Sequence, residues 1–261
     1  MKKQNLTILL DGDILVYQAA SVTEKPVNWG DGLWTLHAEE AEAVAHFEKQ
    51  LDYITSQTKI DDVKIFLTGK ANFRKTLYPE YKANRTDKRK PLLLPFLREY
   101  VIEKHGGIIC EGIEADDAIG VYSVNPNSVI VSKDKDLLTI AGTHWSPEQG
   151  FFVVTHEEAD YNFHVQTLTG DTTDNYKGCP SIGPVKAKKI LEKAEDPWEA
   201  IVAAFEKAGL SEAAALTQAR LARILRPNEY NLDKNEVSLW HPKLTSQSVA
   251  QSITPTEALS A

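Results

Sequence analysis

Short acidic segments, each at the end of an apolar run or the start of a helix-like one, carry the clearest chemistry in this sequence. Glu114 and Asp117 are three residues apart, as are Asp171 and Asp174, so each pair lies on one face if its segment is helical. Four such segments supply the candidate metal ligands Asp11, Asp13, Glu114, Asp116, Asp117, Asp134, Asp136, Asp171 and Asp174. A cluster of these carboxylates would be a strong site for cations.

A convergent carboxylate cluster favours divalent metal ions. Two like charges about 4 Å apart repel by roughly 1 kcal/mol in water and about 4 kcal/mol at an effective dielectric of 20, so several carboxylates need cations between them. Oxygen ligands without His or Cys favour Mg²⁺ or Mn²⁺ over zinc. Two or more such ions, about 3.5–4 Å apart, hydrolyse phosphodiesters by stabilising the attacking and leaving oxygens. The alternative, that these acids are solvated helix caps, explains one pair more readily than four.

A basic segment is a second candidate for contact with a phosphate. Between residues 70 and 90, eight lysines and arginines face only two acidic residues. Lys82 and Arg85 are the candidate catalytic residues, because they could hold the scissile phosphate and neutralise charge that develops in the transition state. Tyr81 could stack on an unpaired base. The candidate DNA-binding residues of this segment are Arg74, Lys75, Tyr81, Lys88, Arg89 and Lys90. The alternative is a solvated loop whose charges are incidental.

A glycine-rich loop followed by lysines predicts a second contact with nucleic acid. Gly183 allows the backbone to approach a phosphate, and the helix expected after it offers free N–H groups and the positive end of its dipole. This pattern, over about residues 176–193, is typical of a helix–hairpin–helix that binds a duplex backbone without reading its sequence. Its candidate DNA-binding residues are Gly178, Ser181, Gly183, Lys186, Lys188 and Lys189. The alternative is an ordinary corner between two helices.

Strands that alternate with helices position these side chains. Apolar runs predict strands at residues 7–10, 63–67, 108–110 and 128–131, and helix-like segments lie between them. The alternation predicts an α/β fold with a mostly parallel central sheet flanked by helices, while residues 27–36 are expected to be irregular. Ligands of such sheets sit beyond the carboxyl ends of the strands, which is where Asp11 and Asp134 fall.

Three regions are expected along the chain. Residues 1–155 form the α/β core, which includes the basic segment at about 70–105. Residues 156–242 form a helical DNA-binding region whose first helix opens with a capping box from Thr155 to Glu158. Residues 243–261, rich in Ser, Thr, Gln and Ala, form a disordered tail.

Composition limits the class of protein. The 261 residues carry a net charge of −8, so the basic segments, not the average charge, favour a nucleic-acid partner. No apolar run is long enough to span a bilayer and no leader is recognised, so a cytoplasmic protein is expected, in the host if the chain is phage-encoded. Cys110 and Cys179 are then reduced thiols, without a disulfide or a zinc site. A monomer is favoured.

Six segments together resemble the flap-endonuclease family, which includes phage 5′ exonucleases and the 5′-nuclease domain of bacterial DNA polymerase I. The resemblance covers about residues 6–191 and is specific because all six occur in the same order and spacing. The segments are DGD (11–13), PEYKANR (79–85), GIEADD (112–117), SKDKDL (132–137), GDTTDN (170–175) and the hairpin at 178–189. Residues 221–242 also resemble the exonucleases of short-tailed coliphages.

The resemblance implies a 5′-3′ exonuclease on duplex DNA, in phage replication or recombination, that also cuts 5′ flaps and RNA paired to DNA. A first metal region would be held by Asp11, Glu114, Asp116 and Asp117. A second would be bounded, partly through waters, by Asp134, Asp136, Asp171 and Asp174. Lys82 and Arg85 would contact the scissile phosphate from a helical arch, and the hairpin would carry a K⁺ ion.

One position departs from the family pattern. Gly69 stands shortly after the second strand, where the family usually has an Asp, and our hypothesis is that Asp13 supplies the missing charge. Two other functions stay open from the sequence: a PIN-like ribonuclease on a similar acidic sheet, and a non-catalytic DNA-binding protein that retains the fold. The hairpin argues against the first, and the filled acidic positions argue against the second.

Overall fold

The structure, a computed structural model, describes residues 6–86 and 88–242. Its strands are β1 Thr7–Asp11, β2 Lys25–Asn28, β3 Trp34–His37, β4 Asp62–Thr68, β5 Ile108–Cys110, β6 Ser128–Val131, β7 Gly142–Ser146, β8 Gly150–Val154, β9 Tyr230–Asn231 and β10 Glu236–Val237. Its α-helices are α1 Gly12–Val22, α2 Glu40–Thr58, α3 Phe73–Leu77, α4 Leu94–His105, α5 Ala115–Tyr122, α6 His156–Thr169, α7 Pro184–Leu191, α8 Pro197–Lys207 and α9 Glu212–Ala222. Short 3-10 turns occur at Ala83–Arg85, Lys135–Thr139 and Pro227–Glu229. The predicted tail at 243–261 lies outside the described residues.

A six-stranded sheet in the order β5-β4-β1-β6-β7-β8 forms the centre of the molecule. The first five strands are parallel, and β8 pairs antiparallel with β7. All five residues of β1 are buried, as expected for a central strand covered on both faces. The predicted α/β fold with a mostly parallel sheet is confirmed, and Asp11 lies at the carboxyl end of its central strand.

Side chains that alternate along β1 build the two layers around the sheet. Ile8 and Leu10 pack with helices α1, α2 and α4. The spacing of Val44, Phe47, Leu51 and Ile54 by three, four and three residues predicts an amphipathic helix, and Phe47 is fully buried in α2. Leu9 points to the other face and packs with α5 and with Ile224, just after α9. The C-terminal helices are therefore joined to the sheet directly behind the helix that carries Glu114, Asp116 and Asp117.

The helical region at 156–242 begins as expected and then differs. The capping box is confirmed, since Thr155 Oγ1 accepts from Glu158 N–H at 3.1 Å and Glu158 accepts from Thr155 N–H at 2.9 Å. The prediction of a helix from residue 176 is wrong: the first helix of the hairpin is α6, and residues 170–183 connect it to α7. A Cβ on Gly170 would lie 2.4 Å from Gly178 N, so this turn needs both glycines and cannot be helical.

Two further segments differ from expectation. Residues 27–36 include an antiparallel hairpin of β2 and β3, whose turn holds Gly30 and Gly32 at positive φ. In the basic segment, α4 packs on the sheet through Leu97 and Val101. Among the described residues of 70–93, only α3 and the turn at Ala83–Arg85 are helical, so this stretch contains no long helix that could form an arch. No helix in the described part of the chain is long and apolar enough to span a membrane.

Candidate active site

The carboxylates of all four acidic segments meet at the carboxyl edge of the sheet. Asp11 ends β1, and Asp134 begins the turn after β6. Asp116 lies in the first turn of α5, and burial, followed by the charges of Asp11 and Asp134, raises its pKa well above the ordinary value. Burial, followed by Asp134 and Asp171, raises the pKa of Asp136 to about 7. These mutual effects require short distances, so the predicted convergence is present.

Three of these side chains also hold the turns from which they project. Asp11 Oδ1 accepts from the N–H of Asp13 at 2.9 Å, and Asp134 Oδ1 accepts from the N–H of Asp136 at 2.9 Å. Asp171 Oδ1 accepts from the N–H of Thr173 at 2.6 Å. A carboxylate has two oxygens, so a capping bond orients the side chain without consuming its capacity for a second ligand.

The open carboxylates, by which we mean Asp11, Asp116 and Asp136, lack sufficient positive partners. Burial and the charge of Asp13 raise the pKa of Asp11 to about 7. Asp116 Oδ1 is buried and has no hydrogen-bond partner, which is costly for a carboxylate oxygen. An unpartnered buried oxygen surrounded by other carboxylates fits a hard cation such as Mg²⁺. The donor set is therefore suitable for a divalent ion.

The paired carboxylates, Glu114, Asp117 and Asp174, are instead matched by cations of the chain. Lys82 Nζ contacts Glu114 and lies 3.3 Å from Asp174, and Arg85 contacts Asp174 at 2.5 Å. Although burial alone would raise it, Lys82 and Arg74 lower the pKa of Glu114 to about 2. Both candidate catalytic cations therefore already lie at the carboxylate cluster.

These ion pairs explain a difference from the sequence expectation. Across residues 6–86 and 88–242, no three His, Cys, Asp or Glu side chains are arranged as a ready-made site for one ion. The ammonium of Lys82 occupies the space between Glu114 and Asp174, where a cation would otherwise balance their charge. A full set of metal ligands therefore requires these side chains to adjust when an ion enters.

Arg74 and Asp117 correct two of the predictions. Arg74, expected to bind DNA, is buried, and its guanidinium donates to Asp117 at 2.6 and 2.7 Å and to the carbonyls of Leu221 and Arg223. Asp117, expected to bind metal, is fully buried and also accepts from the N–H of Leu225 at 3.0 Å. The pair ties α5 to the segment after α9, so both residues position the site from behind.

Tyr81 and Gly178 also have structural roles in place of the predicted DNA contacts. Tyr81 is 2% exposed, and its hydroxyl lies 2.8 Å from both Glu114 Oε2 and Asp174 Oδ2, so its single proton is donated to one of these carboxylates at a time. Its ring cannot stack on a base without leaving the core. The N–H of Gly178 donates to the side chain of Gln218 at 2.8 Å, so this group is not available to a phosphate.

Asp13 lies close to the strand end that Gly69 follows, and its carboxylate has partners of its own. Its carboxylate accepts from the N–H of Thr68 at 2.8 Å and pairs with Arg98, which joins α1 to α4. A Cβ at Gly69 would lie 2.6 Å from the carbonyl oxygen of Cys110, so the backbone leaves no room there for any side chain. The hypothesis that Asp13 replaces the family acid stays a prediction: its carboxylate contacts Thr68 and Arg98, and its charge also raises the pKa of Asp11.

The remaining candidate DNA-binding residues lie on the surface. All of Lys75, Lys88, Arg89, Lys90, Ser181, Gly183, Lys186, Lys188 and Lys189 are exposed. Arg89 is exposed but pairs with Glu24, whose side chain is 9% exposed, at 2.6 Å, so a phosphate that binds Arg89 would compete with this pair. Gly183 caps the N-terminus of α7, whose lysines face solvent. These residues stay candidates for contact with a phosphate backbone.

Lys135 was missed from the sequence. It lies between Asp134 and Asp136, and its ammonium is 3.4 Å from Asp171. Despite the opposing effect of burial, Asp136 and Asp171 raise its pKa. The alternation of two acids with a lysine in SKDKDL was the available signal, since a side chain on that turn lies within reach of the same carboxylates.

Comparisons with known proteins identify the family of this chain. Residues 6–167 match the family described as "5'-3' exonuclease, N-terminal resolvase-like domain". An exodeoxyribonuclease of Enterobacteria phage T3 is 30% identical over 90% of this chain and 93% of its own length. An exonuclease of Escherichia phage T7 is also 30% identical, over 90% of this chain and 93% of its own. The matches confirm the resemblance to 5′ exonucleases and do not favour a PIN-like ribonuclease.

The fold is also shared with a solved structure. The structure described as "Divalent metal ions (zinc) bound to T5 5'-exonuclease" has a TM-score of 0.61 and 18% identity, over 86% of this chain and 90% of that one. At this identity the likeness concerns the fold. It places the described sheet and its helices in a known arrangement.

Proposed function

The chain belongs to the 5′-3′ exonuclease family, and we propose that this nuclease removes nucleotides from the 5′ ends of duplex DNA in a Mg²⁺-dependent hydrolysis. The relatives named above, an exodeoxyribonuclease and an exonuclease, support a DNA substrate. The observation that carries the proposal is Asp116, whose buried Oδ1 has no partner although Asp11 and Asp134 lie close enough to raise its pKa. Such an oxygen is suited to a divalent cation beside a phosphate.

The open carboxylates and their neighbours would hold the ions in two regions. Asp11, Asp116 and Asp134 would bind the first, and Asp136 and Asp171 would bound the second. Mn²⁺ would serve in place of Mg²⁺, since oxygen ligands accept both. Bound there, divalent ions supply a water of lowered pKa and stabilise the leaving oxygen.

Lys82 and Arg85 would act on the scissile phosphate. In the structure they neutralise Glu114 and Asp174, so their charges lie beside the place where the phosphate would bind. When a substrate enters, the phosphate and the carboxylates compete for the same cations, and the ammonium of Lys82 can move from one to the other. Charge that develops on the phosphate is then balanced without new groups being brought in.

The duplex would be held away from the reacting bond. The N-terminus of α7, capped by Gly183, and the exposed lysines after it offer N–H groups and positive charge to a phosphate backbone. A K⁺ ion at the turn around Ser181 would serve the same contact. Because neither feature contacts bases, we expect binding without sequence preference. The same backbone contacts would also allow the protein to bind substrates with 5′ flaps and RNA paired to DNA.

A labelled duplex tests the proposal. With Mg²⁺, a blunt duplex labelled at its 5′ ends should release short labelled products, and excess EDTA should abolish release. Cleavage of RNA only would indicate a ribonuclease, and binding without cleavage would indicate a non-catalytic protein. Flap and RNA–DNA substrates in parallel define the preferred structure. Binding should also weaken steeply with salt, since phosphate contacts release counterions.

A further inference from the structure

A pocket lies directly beside the open carboxylates. It has a volume of about 310 Å³ and is lined by α1, α2 and the ends of β6 and β7. This is the lower end of the range for small-molecule sites, roughly 300–1,000 Å³. Among the open carboxylates, only Asp11 lines the pocket, so the pocket adjoins the carboxylate cluster at that residue. A group in the pocket would lie beside a phosphate held near Asp11.

The wall of the pocket is apolar and aromatic. Leu10, Ile54 and Trp145 belong to the core and line it from the sheet and from α2. Tyr53 also lines it, with its ring centroid 6.3 Å from that of Trp145 and the two rings inclined by 60°. A flat group with apolar faces would be accepted by such a wall, whereas a bare phosphate or sugar would not.

Two side chains on α2 bring polar atoms that have no partner. His46 Nδ1 and Gln50 Oε1 are buried without a hydrogen bond, although both residues line the pocket. The other end of the Gln50 amide donates to Gln18 Oε1 at 3.4 Å, which holds this side chain at the pocket. Buried polar atoms are nearly always hydrogen-bonded in folded proteins, so these two atoms are available to bond the polar edge of a group that enters the pocket.

Positive charge lies at the same pocket. Lys49 and Lys133 both line it and are exposed. Lys133 is 4.0 Å from Glu148, a solvated pair that an anion could replace readily. The combination is an apolar wall, an edge with unsatisfied polar atoms, and cations beside a metal-type carboxylate cluster. A nucleotide has the matching parts: a flat base with a polar edge, joined to a phosphate.

We propose that this pocket binds the nucleobase of the 5′-terminal nucleotide while its phosphate lies at the open carboxylates. The proposal rests on the proposed function and adds a subsite to it. The base would contact Trp145 through apolar surface and would bond His46 and Gln50 through its edge. Holding the base would fix the terminal nucleotide once it has left the duplex, and so would offset part of the cost of unpairing it.

Binding of mononucleotides to the whole chain tests the subsite directly. Calorimetry with Mg²⁺ would compare deoxyadenosine 5′-monophosphate with 2-deoxyribose 5-phosphate, which has the same phosphate and no base. We expect the nucleotide to bind at least about tenfold more tightly, the order of effect that a stacked base supplies. Equal affinities would overturn the proposal.

Variants locate that preference. The double variant His46→Leu, Gln50→Leu removes the unpartnered atoms, so it should keep its melting temperature while losing the tenfold preference. Leu15→Trp, which places bulk at the pocket from α1, should lose it as well. Gln57→Leu is the matched control, since Gln57 is exposed on the same helix and does not line the pocket. A preference that survives in both pocket variants would overturn the proposal.

Cleavage of two duplexes separates this proposal from the proposed function. One duplex carries a normal 5′-terminal nucleotide and the other an abasic one. The wild type should cleave the abasic end about tenfold more slowly, and the pocket variants should cleave both ends at the same low rate. If no duplex is cleaved but the mononucleotide preference exists and is lost in the variants, the nuclease proposal fails while the pocket stands. Cleavage that ignores the terminal base in the wild type overturns the pocket alone.

Discussion

The paired and the open carboxylates lie at one edge of one sheet, yet only the paired ones are neutralised by cationic side chains of the protein. Glu114, Asp117 and Asp174 are held by Lys82, Arg74 and Arg85, and the pKa of Glu114 falls to about 2. Asp11 and Asp136 have pKa values of about 7, and Asp116 has an oxygen without a partner. The paired carboxylates are therefore held in place by lysine and arginine side chains. The open carboxylates lack such partners, which makes them suitable for an external cation.

Asp116→Asn gives the largest expected effect. If the open carboxylates hold the ions, this change should lower the single-turnover cleavage rate by about 10³-fold, the upper range for removal of one electrostatic group from an active site. It should not lower thermal stability, because burial and the neighbouring acids already favour the uncharged form of Asp116, so the amide replaces a side chain of the same charge and similar size. Stopped or quenched-flow cleavage and a melting curve measure both. Full activity would place the ions elsewhere.

Arg74→Met tests the paired side of the comparison. Breaking the buried pair leaves Asp117 without its partner, so the free energy of unfolding should fall by about 3–5 kcal/mol. Urea denaturation measures this loss. Lys75→Met, a change at the exposed neighbour on the same helix, should alter it by less than about 0.5 kcal/mol. If Arg74→Met kept its stability but bound DNA more weakly, Arg74 would be a DNA-binding residue, as the sequence predicts.

Lys82→Ala separates a catalytic cation from one that only binds. The cleavage rate should fall by about 10²-fold, because charge that develops on the phosphate is no longer balanced. The dissociation constant for duplex DNA should change far less, since we expect the exposed lysines to contribute most of the binding free energy. Single-turnover rates are compared with binding measured in Ca²⁺. If only the affinity for duplex DNA fell, Lys82 would be a DNA-binding residue and not a catalytic one.

The pH dependence of stability gives the smallest expected effect. Folding raises the pKa values of Asp11 and Asp136 from about 3.8 to about 7. Between these pH values the folded chain therefore binds more protons than the unfolded chain. Stability in EDTA should therefore fall as pH rises from about 4 to 7 and level off above about 8. Mg²⁺ should reduce that fall, because it replaces the lost protons. An identical profile with and without Mg²⁺ would contradict the open carboxylates as a cation site.

Local patterns in the sequence were sufficient for much of the fold. Buried strands at 7–10 and 128–131, the spacing of Phe47 and Leu51 on α2, and the capping box at Thr155 depend on neighbours along the chain, and the structure confirms them. The hairpin of β2 and β3 was not foreseen, because the strands it pairs are largely exposed and carry little apolar periodicity. The close contact between Gly170 and Gly178 was also not foreseen, because it joins two backbone segments across a turn that no hydrophobic pattern marks.

By itself, the sequence determined that Asp11 and Asp134 follow parallel strands at the same edge of the sheet, because the carboxyl ends of parallel strands lie together. Only the tertiary structure decided which acids are balanced. Arg74 lies 43 residues from Asp117 and 147 from Leu221, and nothing local marks it as buried while Lys75 is exposed. Long-range packing selects the partner of each charge, and a charge's partner decides whether it holds the fold or binds an ion.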